Sequence, residues 1–258
     1  MSIAALMLFQ VSALLLREFA RRKFVEVGID ASSAKHLSAL VGFAVLAVLM
    51  APLMASVQAV LAGFFRRPRS WFRLVSCSIA IGLCFRALDW AWNVTLIASG
   101  FYGPGDPTRS AGPLFWWSCP TSSYLALSIT VMALMTPFVE ELVNRGVILH
   151  TLAARGRFFG VIVSAALFAV LHTPENMLVA LLFGIVAAIQ MLYYRTLLGP
   201  IIAHATFNLM ITLDWDCLNG IWIPASTSVA ASAVASILAL SMLLTATWLA
   251  TRRAAGAK

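Results

Sequence analysis

Apolar residues run through this chain in long blocks, neither alternating as in a half-buried strand nor confined to the single stripe of a soluble helix, and short polar breaks separate the blocks. Crossing a hydrocarbon layer takes about 20 mostly apolar residues at about 1.5 Å rise each. On that rule helices are predicted near 2–17, 37–63, 71–98, 122–150, 157–174, 177–196, 199–213 and 227–250. Some of these are short, so the pattern predicts about eight spans with seven as the alternative. The expected fold is all-α, a polytopic transmembrane helical bundle without a repeat or a long linker. It divides into N-terminal helices over 1–121, a helical core over 122–213, and an outer loop with a last helix over 214–258.

Composition removes the soluble alternatives. The chain has 258 residues, of which 61% are hydrophobic and 11% charged. Its mean hydropathy is +0.92, more apolar than a water-soluble core of this length could hide. A net charge of +8 would suggest nucleic acid in a soluble protein, but here Lys and Arg sit in clusters between apolar blocks and read as topology signals. Nucleic acid is not an expected partner. The basic residues Arg66, Arg67, Arg69 and Arg73, then Arg155 and Arg157, Arg195, and finally Arg252, Arg253 and Lys258 mark an inner side. The connections near 99–121, 173–177 and 214–226 hold only Arg109 and mark the outer side, which makes the C-terminus cytoplasmic. The start breaks this pattern, because Arg17, Arg21, Arg22, Lys23 and Lys35 fall outside if 37–63 spans once; an interfacial helix over the basic stretch is one way out. No basic stretch precedes the first sixteen residues and "REFARRK" follows them, so a removable signal peptide is not expected. Cys119 and Cys217 fall on one side, where a disulfide or two free thiols are equally open.

Ionisable residues at bilayer depth cost a few kcal/mol even on lenient scales and therefore point to function. The stretch "TPFVEELVNRG" places Glu140, Glu141 and Arg145 inside an apolar block. Adjacent helical residues diverge by about 100°, whereas residues four apart share a face, so Glu141 can pair with Arg145 while Glu140 points elsewhere. Pro137 removes a helical hydrogen bond nearby. In the next block "FAVLH" stacks Phe168 and His172 on one face, and "HATFN" does the same for His204 and Asn208 in a third. Counted from the inner ends, Glu140 lies about 15 Å deep, His172 about 20 Å and His204 about 10 Å.

A carboxylate beside an imidazole can hold and deprotonate a water, which assigns that work to Glu140 with His172. An imidazole N–H and an amide NH2 one turn apart are two convergent donors for an oxyanion, which assigns His204 and Asn208. No serine or cysteine elbow accompanies them, so hydrolysis without a covalent intermediate is expected. The ordered motifs "EELVNR", "FAVLH" and "HATFN" resemble the CPBP family of intramembrane proteases, which includes type II CAAX prenyl endopeptidases and Abi-type bacterial proteins. The resemblance covers about 136–213. It implies that Glu140 and His172 activate water, that His204 and Asn208 stabilise the oxyanion, and that Glu141, Arg145 and Phe168 support them. It also implies a glutamic-type peptidase acting on a membrane-associated protein or peptide, such as a C-terminal sorting segment; the short loops and the lack of a retention signal point to a bacterial inner membrane. No cofactor is expected. The chain lacks HExxH and spreads its candidate ligands over three helices, though zinc stays open. Two other readings compete: a catalytically silent scaffold or immunity factor, and a proton-coupled transporter using Glu140, His172 and His204 as relays.

Overall fold

The computed structural model describes residues 3–65, 68, 70–99 and 116–219. The helix expected near 227–250 and the basic residues Arg66, Arg67, Arg69, Arg109, Arg252, Arg253 and Lys258 lie outside them. Within the described residues the chain is helical: α1 Ile3–Glu26, α2 Ala31–Phe64, α3 Trp71–Ala98, α7 Arg157–Ala169, α8 Met177–Tyr194 and α9 Leu198–Cys217. Between α3 and α7 runs one long segmented helix. It comprises α4 Ser122–Ser128, a π-helical stretch π1 Ile129–Met135, α5 Thr136–Glu141, a second π-helical stretch π2 Leu142–Leu149, and α6 His150–Ala153. Three helices among the described residues are long and apolar enough to cross a membrane, at Trp71–Asn93, Ser122–Ala153 and Met177–Tyr194. Shorter apolar helices occupy Ala31–Leu46 and Arg157–Ala169.

The start of the chain differs from the expectation of a first span ending near residue 17. α1 continues through the basic stretch to Glu26, because the acids interleaved there neutralise it at helical spacing. Glu18 accepts from Arg21 at 2.8 Å and from Arg22 at 3.1 Å, and Lys23 pairs with Glu26 at 2.7 Å. Gly28, at φ 91°, makes the turn. Asp30 then caps α2 by accepting from the Ser33 backbone N–H at 2.9 Å. α1 and α2 thus form an antiparallel hairpin, with Arg17 and Ala13 against Gly42. His36 of α2 meets the Tyr124 hydroxyl at 3.2 Å, so the hairpin's basic tip lies at the same end of the bundle as the start of α4.

That end is tied together. β1 Trp116–Trp117 pairs antiparallel with β2 Leu218–Asn219, and Ser118 donates its N–H to the Cys217 carbonyl at 2.8 Å. Cys119 and Cys217 form a disulfide. Of the two alternatives open from sequence, the bonded one is adopted. The bond joins the entrance to α4 to the last residue of α9. Trp92 Nε1 donates to the Glu175 carbonyl at 2.7 Å, fastening α3 to the turn before α8.

Close approach of helices relies on small residues. A Cβ on Gly184 would sit 2.9 Å from Ala165 Cα, and one on Gly82 would meet the Ala203 carbonyl at 2.5 Å. α8 therefore packs directly on α7, and α3 on α9. Gln190 of α8 donates across to Ser78 Oγ of α3 at 2.8 Å, as a buried amide in an apolar bundle must. Phe85, Phe168, Phe183 and Ala203 belong to the main core cluster, formed by α3, α7, α8 and α9.

Candidate active site

The segmented helix builds the acidic half of the site. In π1 the Thr136 N–H bonds back five residues to the Val131 carbonyl, and Thr136 Oγ1 bonds to the same oxygen at 2.8 Å. The next bond in that register would need an N–H at position 137, where proline has none. The Met132 carbonyl is left to accept from Asn208 Nδ2 of α9 at 2.8 Å. A turn later Asn144 Nδ2 donates to the Glu140 carbonyl at 2.8 Å. Two wide π-turns thus bracket the short α-helical piece that carries Glu140 and Glu141, an irregularity that frequently accompanies functional sites.

The two glutamates have different surroundings. Glu141 is wholly buried, and its Oε1 accepts from Arg145 Nη1 at 3.0 Å and from His204 Nδ1 at 2.9 Å. Arg145, also buried, directs Nη2 toward the Gly184 carbonyl at 3.5 Å, and its guanidinium lies 4.4 Å from the Phe168 ring centre. The Glu140 side chain keeps 34% of its surface exposed and approaches His204 Nε2 at 3.9 Å. His204 therefore stands between both carboxylates. With Nδ1 facing a carboxylate, that nitrogen carries the proton it donates, and Nε2 faces Glu140.

Aromatic rings frame this arrangement. Phe168 lies tilted against His172 with ring centres 4.7 Å apart and meets the His204 ring edge-on at 6.0 Å. Phe183 lies 4.9 Å from His204 and 5.1 Å from Phe85. His172, in the turn after α7, points its Nδ1 at the Phe168 carbonyl 3.0 Å away. A carbonyl can only accept, so Nδ1 bears the proton of that contact, which leaves Nε2 as the ring's other polar atom.

The structure thus brings Glu140, Glu141, Arg145, Phe168 and His204 into contact and holds Asn208 one turn beyond His204 on the same face. His172 joins through the Phe168 ring; it shares no hydrogen bond or ion pair with Glu140 among the described residues. No three His, Cys, Asp or Glu side chains among those residues converge as a metal cage. Three participants carried no motif in the sequence. Phe183 and the Gly184 carbonyl sit in an unbroken apolar block, and the Met132 carbonyl has no side-chain signature. Away from the glutamates, Asp214 accepts from Arg86 Nε at 2.8 Å, and Arg86 also pairs with Asp89 at 2.9 Å. The charge of Asp214 near the end of an apolar helix was the only cue to it.

Comparison with known proteins adds one finding. Residues 122–210 match the family model described as type II CAAX prenyl endopeptidase Rce1-like. No curated protein and no solved structure matches the chain. The matched residues run from the first turn of α4 to just past Asn208, taking in all three motifs and every side chain that meets at the two glutamates. Over residues 122–210 this chain is therefore similar to the Rce1-like type II CAAX prenyl endopeptidases.

Proposed function

We propose that the protein hydrolyses a peptide bond in a membrane-associated protein or peptide, using water activated at Glu140. The observation that carries this reading is the unequal use of two adjacent carboxylates. Glu141 is committed to Arg145 and His204 in a dry interior, whereas Glu140 is partly exposed and 3.9 Å from the nearest imidazole nitrogen. That separation is too long for a hydrogen bond and right for one water touching both groups at about 2.8 Å.

Glu140 takes one proton of the water while oxygen attacks the carbonyl carbon. His172 Nε2 accepts from the same water and orients it. Negative charge that develops on the carbonyl oxygen is met by the second N–H of Asn208 Nδ2, the first being held by Met132, and by His204, whose Nε2–H hydrogen bond passes from the attacking water to that oxygen as the C–O bond forms. Because His204 Nδ1–H is given to Glu141, donation to the oxyanion falls to Nε2–H, and the ring acts as an imidazolium. Its charge and that of Arg145 then balance the two carboxylates. Protonated Glu140 returns its proton to the departing amine nitrogen as the C–N bond breaks. All catalytic groups belong to the chain, and the covalent intermediate of a serine or cysteine peptidase is absent from the scheme.

The substrate class is a segment within or beside the bilayer, with C-terminal sorting segments of surface proteins in a bacterial inner membrane as the first candidates. Comparative mass spectrometry of protein C-termini in cells, wild type against Glu140→Gln at equal abundance, tests the reading. Termini that vanish in the variant support it and name the substrates. An unchanged set of termini, with Glu140→Gln rescuing a deletion phenotype, would replace it with the silent scaffold.

A further inference from the structure

We infer that Pro137 is a positioning residue for the oxyanion donor Asn208, acting through the N–H that it lacks. This rests on the protease reading above and gives a role to a residue outside its chemistry.

The argument follows the backbone. In the last turn of π1 the Thr136 N–H reaches the Val131 carbonyl, five residues back. Continued by one residue, that register pairs position 137 with Met132. An ordinary residue at 137 would bring an amide proton to the Met132 oxygen, and proline cannot. A carbonyl without a partner at bilayer depth is costly, so the vacancy has to be filled from elsewhere. Asn208 Nδ2 fills it at 2.8 Å, across the gap between the segmented helix and α9.

One amide hydrogen anchored in this way fixes the plane of the Asn208 side chain, since the NH2 group is rigidly planar. The second hydrogen then has a set direction in advance of substrate. His204, one turn earlier, is anchored independently through Nδ1 to Glu141 at 2.9 Å. Both donors are therefore held by the same segmented helix, one through a carboxylate and one through a carbonyl that proline keeps available. Preorganised donors of this kind act without reorganisation during the reaction.

The test uses full-length protein reconstituted with the substrate that the C-terminal comparison identifies. Pro137→Ala supplies an N–H at 137, and in a helix it tends to stabilise rather than disrupt. It should lower kcat by about 10-fold or more, bounded by the roughly 10²–10³-fold loss expected for removing an oxyanion donor outright, with little change in KM. Asn208→Ala should lose more, and Pro137→Ala should then add nothing to it, since both act through one contact. A second variant separates the missing N–H from the ring: Pro137→lactic acid, a backbone ester, has neither and should retain near wild-type kcat.

The inference is overturned if Pro137→Ala keeps full activity while Asn208→Ala is impaired, if the two losses multiply, or if the ester loses as much as alanine. Normal turnover in Asn208→Ala would remove the oxyanion assignment and this inference with it, leaving the base intact. Normal turnover in Glu140→Gln would instead remove Glu140 as the water-activating base, and with it the mechanism proposed above.

Discussion

Arg145→Met probes the energetic centre of the site. The guanidinium and the Glu141 carboxylate lie 3.0 Å apart with 1% and 0% of their side-chain surfaces exposed, so neither charge has water to fall back on. Removing one partner of such a pair costs about 3–5 kcal/mol, mostly because the other is stranded in a low-dielectric interior. The lost contact with the Phe168 face adds up to about 2 kcal/mol, partly offset by the packing of the methionine. Set against a total stability of about 5–15 kcal/mol for a typical domain, this is a large fraction. The double variant Arg145→Met with Glu141→Gln removes both charges yet leaves an amide oxygen for His204 Nδ1–H, so it should recover most of the loss. Reversible unfolding of purified protein in mixed detergent micelles, with increasing dodecyl sulfate, measures all members of the cycle. The expected coupling between the two positions is about 2–3 kcal/mol. A single-variant loss under about 1 kcal/mol, or a double variant no more stable than Arg145→Met, would refute the buried-pair account.

Three further outcomes follow from other parts of the structure. Reduction of the Cys119–Cys217 bond, or Cys119→Ser, should abolish a mobility shift on non-reducing gels. It should also destabilise by up to about 4–5 kcal/mol, the chain-entropy estimate for a closed loop of about 100 residues, read in the same micellar unfolding. Gly184→Ala would press its Cβ to within 2.9 Å of Ala165 Cα. The resulting separation of α7 from α8 should cost about 1–3 kcal/mol and carry the Gly184 carbonyl away from Arg145, measurable as a lower unfolding midpoint. The Ser33 backbone N–H holds the Asp30 carboxyl below its usual range, so the capped form is favoured above the unfolded-state pKa of about 3.9 and that stabilisation is lost as pH falls through the lower folded value. Hydrogen exchange at the first amides of α2 should therefore quicken relative to mid-helix amides on acidification, and Asp30→Asn should flatten the response.

Much of the site was legible because helical spacing is a strong constraint. Residues four apart share a face, so the Glu141–Arg145 pair could be read from position alone; His172 reaches Phe168 from the turn after α7, where that spacing no longer applies. The same rule separated Glu140 from Glu141 before any coordinates. The long apolar blocks likewise locate α3, α8 and α9 to within four residues, while α2 begins at Ala31 and not near 37, α7 ends at Ala169 and not near 174, and α1 runs on past 17. Charge at a membrane boundary reads as a stop, yet Glu18 and Glu26 pair with Arg21, Arg22 and Lys23 and let the helix run on. Interleaved signs at helical spacing were the overlooked cue.

What sequence did not reveal depends on backbone register. Pro137 announces that some carbonyl loses its donor, but which one depends on whether the preceding turn closes over four residues or five. In an α-register the orphan would be Ala133; in the π-register of Ile129–Met135 it is Met132, and Asn208 reaches that oxygen. Nothing in "ITVMALM" distinguishes the two, because the choice is settled by packing against α9 and not by local propensity. The wide turns are unfavourable in isolation and carry no capping or charge pattern of their own. They persist here where α9 supplies a side-chain donor to one freed carbonyl and the buried Glu141–Arg145–His204 cluster clamps the helix just beyond. The irregular backbone and the polar cluster therefore depend on each other: without the cluster the segment has no reason to leave α-geometry, and without the wider turns Asn208 has no carbonyl to hold it beside His204.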